Sequence, residues 1–440
     1  MFSRYFRFDE LKTDYRSEII GGLSTFMAMA YIIFLNPSIL SAAGMDFDSV
    51  MMATCLSAAL ATFIMGIVAR YPIAQAPGLG VNSYFAFSVV LGMSISWNVA
   101  LGAVFIAGVF FLILTILKIR TAIINVIPPN IQNAIAVGIG LFIAVIGLWH
   151  GGMIERNPNA LVQLGPVHHP AALLFIAGMI ILGIMVILKI RGAVLWSMLS
   201  TLILGIIFNV IEYQGIVAHP PSMEPTFLKL DIMGALSMNL VTVILVFLFI
   251  DIFDTAGTLV GIGNQAGFMK DGQLPRVTRA LFSDAVGTIT GALLGTSTVT
   301  SYIESATGIT AGARTGFANL VTGAMFLLAI FFIPVARMAG GAIPIEGGGL
   351  LYPVTAPALV YVGLMMMRNI VNINWKDFAT SMPAFLIILG IPLTFSIADG
   401  MAFGFITLPI FMLIARRGRE IHWLIYVLGI LFFVYHGFLK

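Results

Sequence analysis

Long apolar runs follow one another along the chain from residue 18 to residue 415, separated by short polar connections. They place helical spans near 18–40, 50–70, 76–92, 98–117, 131–149, 171–188 and 194–211. A second set falls near 235–262, 277–294, 298–312, 314–336, 352–368, 379–397 and 399–415. Most reach the ~20 apolar residues a helix needs to cross a bilayer. Two are short and begin on polar residues, 76–92 and 298–312. A further apolar stretch, 422–438, fits either a fifteenth span or a helix lying along the interface.

The longest polar connection, 212–234, divides the pattern into halves of seven spans. An odd number per half inverts one half relative to the other, and the short, interrupted span is the third in each. That correspondence is the signature of a transporter built from inverted repeats. Local sequence agrees, because Ser83-Tyr84-Phe85-Ala86 resembles Ser301-Tyr302-Ile303-Glu304 at the same place in each half. The expected fold is an all-α membrane protein of about 14 spans, with spans 3 and 10 as half-helices preceded by short extended segments.

Both interruptions have a local cause. Pro77 lacks a backbone N–H and Gly78 and Gly80 are flexible, so no continuous helix runs through Ala-Gln-Ala-Pro-Gly-Leu-Gly (74–80). The half-helix is expected to begin near Asn82. Its counterpart follows Gly295 and the β-prone Ser-Thr-Val-Thr at 297–300, and is expected to begin near Ser301. Irregular backbone at membrane depth is tolerated only where it is buried in protein or lines a cavity. Two such breaks face to face put two helix N-termini around one midplane pocket. The competing explanation is that the glycines only allow close helix packing.

Acids inside the apolar runs sharpen this picture. FLFIDIFDTAGTLVG (247–261) carries Asp251 and Asp254, and GTSTVTSYIESATGI (295–309) carries Glu304. A carboxylate at the bilayer centre costs ~2.5–3.5 kcal/mol on insertion scales, so such residues face a partner, a cavity or a ligand. Asp251, Asp254, Thr255 and Thr258 recur at helical spacing and share one face. The alternative is a structural network in which these acids bond to neighbouring hydroxyls.

Composition narrows the class. With 60% hydrophobic and 9% charged residues, the chain departs far from the ~25% charged residues of a soluble domain. The net charge of +3 comes from cations gathered on one membrane face, not from a nucleic-acid surface. With the N-terminus cytoplasmic, 18 of the 22 Lys and Arg fall inside and only Arg156, Lys229 and Arg337 outside, with Lys440 depending on the last helix. The basic, amphipathic N-terminus lacks a signal peptide's uninterrupted apolar core and cleavage site, so residues 1–17 are expected to stay in the mature chain. A lone cysteine, Cys55, excludes an intrachain disulfide. His168 and His169 stand in an exterior loop and His150 at a span end, read as an interfacial residue, and none argues for a metal. No nucleotide-hydrolysis motif and no intramembrane nucleophile–base pair is present, which argues against primary active transport and against an enzyme.

With these residues in place, the chain resembles the AzgA-like purine permeases of the nucleobase–ascorbate (nucleobase–cation symporter 2) superfamily. The likeness runs almost end to end through FMAMAYIIFLNP (26–37), QAPGLGVNSYFAF (75–87), FDTAGTLVG (253–261), GTSTVTSYIESATGITAGARTG (295–316), TAPALVYVGLMM (355–366) and PLTFSIADGMAFGFI (392–406). The resemblance implies two inverted seven-span repeats, a core and a gate domain, and inward movement of nucleobases with protons by an elevator-like motion. It implies N-terminal residues 1–17, core pieces at 18–117 and 235–336, and gate pieces at 118–234 and 337–440. It also implies site residues. The eighth-span acid matches Asp254 in Asp254-Thr255-Ala256-Gly257, the tenth-span acid matches Glu304 with Tyr302, and the third-span aromatic matches Tyr84 or Phe85. Where the uracil, xanthine and ascorbate branch continues with Asn, one residue and Gly, this chain has Ser305-Ala306-Thr307-Gly308. That departure favours adenine, guanine or hypoxanthine.

A purine is flat and neutral, so it needs aromatic faces and edge-directed donors and acceptors. Tyr84 and Tyr302 are placed to stack on its two faces, and an ionised Glu304 to accept two N–H bonds. Amide groups near Asn82 and Ser301 would donate to it, and Ser83 and Thr255 complete the substrate set. Burial favours a neutral carboxyl group and a bound donor favours a charged one. Asp254 is therefore assigned the proton and Glu304 the substrate, with the reverse assignment, or a share for Asp251, as alternatives. The partners are a purine, a proton and lipid in the cell membrane, with a homodimer implied by the resemblance and no cofactor or metal. The competing transporter is a sulfate-permease-type anion carrier or a uracil/xanthine permease of the same architecture.

Overall fold

A computed structural model describes residues 2–117, 127–157, 161–237, 240–269, 274–345 and 349–434. Lys118, Arg120, Lys270 and Lys440 of the charge pattern, and the last four residues of the 422–438 stretch, lie outside them. The described residues are mostly helical, as expected. Eight helices among the described residues are long and apolar enough to cross a membrane: Tyr15–Ala42, Phe47–Ala69, Trp97–Ile116, Pro129–His150, Pro170–Ile187, Val241–Gln265, Phe317–Gly340 and Ile397–Ile414. Leu79–Gly92, Ala193–Ile207, Phe378–Thr394 and Trp423–Val434 are shorter apolar helices. Ser305–Thr310 has only six residues.

Helix starts follow from side-chain caps. Asp14 accepts from the Ser17 amide at 2.7 Å, and Asp46 from the Ser49 amide at 2.9 Å. Each satisfies an amide that the first helical turn leaves open. The first span is interrupted between Met29 and Ile32, which leaves Tyr31 at the junction of two helices.

The helices sort into two packed groups. Tyr15–Ala42, Phe47–Ala69, Leu79–Gly92 and Trp97–Ile116 pack with Val241–Gln265, Val277–Leu294, Ser305–Thr310 and Phe317–Gly340. Pro129–His150 is the hub of the other group, against Ala356–Met367 and Phe378–Thr394. Its glycines make that approach possible: a Cβ on Gly140 would lie 2.9 Å from the Gly363 carbonyl oxygen, and one on Gly147 3.0 Å from that of Ala356. Trp423–Val434 lies along Ile397–Ile414, where Phe405 and Phe432 stack at 5.7 Å.

The N-terminal segment is folded into the first group. Phe6 and Phe8 are buried, and Phe2, Phe6, Phe8 and Tyr15 all set ring edges against Phe317. Glu18 accepts from the amides of Arg314, Thr315 and Ala318, closing the start of the Phe317 helix.

Candidate functional site

The two interrupted spans meet in a short antiparallel pair. Gln75–Pro77 lies against Val299–Ser301, with Gln75 opposite Ser301 and Pro77 opposite Val299. The Gly78 amide donates to Thr298 O at 2.9 Å and the Tyr302 amide to Ala74 O at 3.0 Å, extending the pair at both ends. Residues with no helical alternative thus satisfy their backbone groups across the protein, as membrane depth requires.

The half-helices begin elsewhere than the residue pattern suggested. The first starts at Leu79, three residues before Asn82, because Gly78 is extended and the first helical bond runs from the Asn82 amide to Gly78 O at 2.8 Å. The Asn82 amide is therefore spent inside the helix, and the first-turn amides are those of Leu79, Gly80 and Val81. The second starts at Ser305, since Ser301 belongs to the strand. There the amides of Ser305, Ala306 and Thr307 bond to the carbonyls of Tyr302, Ile303 and Glu304 at 3.2, 3.0 and 2.9 Å. The tight turn uses up the donors that a helix start would leave, so the two N-termini are not equivalent.

Around the first helix start the acids gather. Asp254 is half-buried, and its Oδ2 lies 3.6 Å from the place a Gly78 side chain would occupy, with Thr300 Oγ1 at 3.0 Å from the same point. Glu304 Oε1 accepts from the Tyr31 hydroxyl at 2.5 Å. The Tyr31 ring lies 6.5 Å from that of Tyr302, whose hydroxyl donates to Pro77 O at 2.5 Å. Glu304, Tyr31, Tyr302 and Pro77 thus form one chain of contacts along the strand crossing, and Asp254 stands near the next residue, Gly78. Asp251 sits deeper, accepting from Thr288 at 3.2 Å.

Other expected site residues serve this crossing from behind. Asn82 donates to Asn36 Oδ1 at 2.5 Å, and Asn36 donates to Thr54 and Thr296 at 2.7 and 2.8 Å. Ser301 and Thr255 both donate to Asp284, at 3.3 and 2.8 Å. Tyr84 and Phe85 are fully buried, with ring centroids 4.9 and 6.4 Å from that of Phe247. Tyr84 thus packs on Phe247, and the ring beside Tyr302 is that of Tyr31. Ser83 is buried next to them.

Four residues escaped the pattern of the sequence. Asp284 is fully buried and takes Gln75 Nε2 at 2.9 Å besides the two hydroxyls, so it pins both strands to the Val241 helix. Gln75 in turn accepts from Ser283 at 2.7 Å. The signal was present: Asp284 interrupts the apolar LFSDAVG run as Asp251 interrupts its own. Tyr31 and Asn36 stand within FMAMAYIIFLNP, a polar pair in an apolar span.

The histidines take structural places. His169 Nδ1 accepts from the Ala171 amide at 3.2 Å and caps the Pro170 helix. His150, at the end of the Pro129 helix, is buried against Tyr352, with ring centroids 4.6 Å apart. Among the described residues no group of three or more His, Cys, Asp or Glu gathers as a metal site.

Known proteins match this chain in sequence, and others in fold. The model of a permease family matches residues 16–403. A putative permease of Methanocaldococcus jannaschii is 52% identical over 98% of both chains. The guanine/hypoxanthine permease PbuG of Bacillus subtilis is 46% identical over 99% of both, and the adenine permease AdeP of Escherichia coli 39% identical over 98% of this chain and 95% of its own. Among solved structures, the transmembrane domain of the cyanobacterial bicarbonate transporter BicA superposes with a TM-score of 0.63 over 91% of this chain and 97% of its own, at 15% identity. SLC26A9 superposes with a TM-score of 0.60 over 90% of this chain and 65% of its own, at 10% identity, so these two likenesses speak for the fold. This multi-pass membrane protein belongs to the permease family.

Proposed function

We propose that this protein imports purine nucleobases together with protons across the cell membrane. What carries the reading is the gathering of two acids and two tyrosines at the strand crossing where both interrupted spans meet: Glu304 bonded to Tyr31, Tyr31 beside Tyr302, and Asp254 near Gly78. A purine ring would lie against Tyr302 or Tyr31, and Glu304 would accept its N–H groups. The Leu79–Val81 amides and the positive end of their helix would meet a ring nitrogen or carbonyl oxygen. Asp254, beside that helix start, would take the proton, so that the loaded site moves without an uncompensated charge. Asp251, held by Thr288, is the second candidate. The names of the relatives, guanine/hypoxanthine and adenine permeases, support the purine class.

The first helical group would be the moving core and the second the gate, in an elevator-like cycle, with the N-terminus cytoplasmic and two chains joined through their gates. A sulfate-type anion carrier fits poorly, because Glu304 and Asp254 would repel its cargo. The test is uptake of radiolabelled adenine, guanine, hypoxanthine and uracil into proteoliposomes with and without an inward proton gradient. Purine accumulation that collapses with an uncoupler supports the proposal. Folded protein that takes up no purine under either condition sinks it.

A further inference from the structure

Two adjoining surface cavities, of about 560 and 570 Å³, open where Ile397–Ile414 turns into Trp423–Val434. Arg419 and Glu420 line both; Arg416 and Arg417 line one, and His422 and Trp423 the other. The three arginines are not equivalent. Arg417 is engaged, with Nη1 on Asp377 at 2.9 Å and its Nε and Nη2 on Glu420 at 2.8 and 2.7 Å. Glu420 therefore spends both oxygens on Arg417. Arg416 and Arg419 are exposed and form no ion pair with any described residue. Among the described residues, two guanidinium groups thus carry no ion pair on this shallow, open surface.

The walls beneath are apolar. Leu413 and Ile414 end one helix exposed, and Trp423, Val427 and Ile430 keep large exposed surfaces along the other. In a bilayer those side chains face acyl chains, and a tryptophan at a helix end marks the headgroup level. A cationic recess directly above an acyl-facing wall is complementary to a phospholipid, whose phosphate and tails need both parts. A free phosphate would use only the upper one.

We infer that this recess binds the headgroup of an anionic phospholipid, with Arg416 and Arg419 as its cationic ligands and Trp423 at the edge of its tails. Arg417, fixed by Asp377 and Glu420, shapes the floor and ties the start of the Phe378 helix to the end of the Ile397 helix. The site is separate from the strand crossing and does not depend on what the protein transports.

Native mass spectrometry of the full-length protein, with phosphatidylglycerol or phosphatidylcholine of the same acyl chains added, tests this directly. Phosphatidylglycerol should be retained preferentially, and each of Arg416→Gln and Arg419→Gln should weaken that retention roughly fivefold, the equivalent of ~1 kcal/mol per cation near a lipid surface. Arg279→Gln, an exposed cation of the other helical group, should leave it unchanged. Size exclusion confirms that each variant is folded. Equal retention of the two lipids, or a double variant that holds phosphatidylglycerol like the wild type, overturns the assignment. So does displacement of phosphatidylglycerol by an equal concentration of inorganic phosphate, which would mean a simple phosphate site.

Discussion

Removing one hydroxyl tests the core of the functional reading. In Tyr31→Phe the ring stays beside Tyr302, while Glu304 loses the donor held 2.5 Å from Oε1. A hydrogen bond to an ionised group contributes about 1.5–3 kcal/mol. Glu304 is half-buried, so water can replace part of that bond, and the lower end applies. If the bond aims the carboxylate at the purine, the loss appears in binding: about 1.4 kcal/mol is a tenfold rise in Kd. Isothermal titration of the favoured purine into purified protein measures it, and thermal unfolding of the same samples separates binding from folding. The comparison is Glu304→Gln, which keeps the shape but replaces one acceptor oxygen with a donor and should lose more affinity. Wild-type affinity in Tyr31→Phe, with Glu304→Gln inactive, would refute the positioning role. It would leave Tyr31 as packing.

Asp254→Asn should still bind purine yet fail to accumulate it under a proton gradient, which paired binding and uptake assays resolve; accumulation at the wild-type level would move the proton to another acid. Asp284→Ala should destabilise the protein by several kcal/mol, since Gln75, Ser301 and Thr255 lose a shared acceptor and each orphaned buried donor costs about 1–3 kcal/mol; denaturation in detergent reads it. Gly316→Ala places a methyl 2.0 Å from Gly66 O, backbone against backbone, and should lower Tm sharply. Gly183→Ala, where nothing lies within 4 Å, is the neutral control. Hydrogen bonds from Arg417 hold the Glu420 carboxyl below the usual glutamate range. Its contribution is present above the ordinary value of about 4.3 and fades as pH falls through the lowered one, so acid sensitivity in that window should shrink in Arg417→Gln.

What the sequence determined by itself is whatever local chemistry forces. Long apolar runs favour spans, Pro77 with Gly78, and Gly295, disfavour a continuous helix, and buried acids must face something. Hence the helical membrane fold, the breaks and the presence of the acids Asp251, Asp254 and Glu304 within apolar runs were legible from the order of residues alone. Partnership was not, because it is made between residues far apart in the chain. Tyr31 meets Glu304 across 273 positions, Asn36 meets Thr296 across 260, and Gln75 meets Asp284 across 209. Periodicity says which face of a helix is polar but not which neighbour turns toward it. The same limit explains the misplaced helix starts. Strand pairing, decided by where the other half of the chain lies, carried Ser301 into the ladder and let the helix begin at Leu79. The tertiary structure also decided which ring stands beside Tyr302: the first span, broken at Tyr31, delivers it, while Tyr84 packs on Phe247.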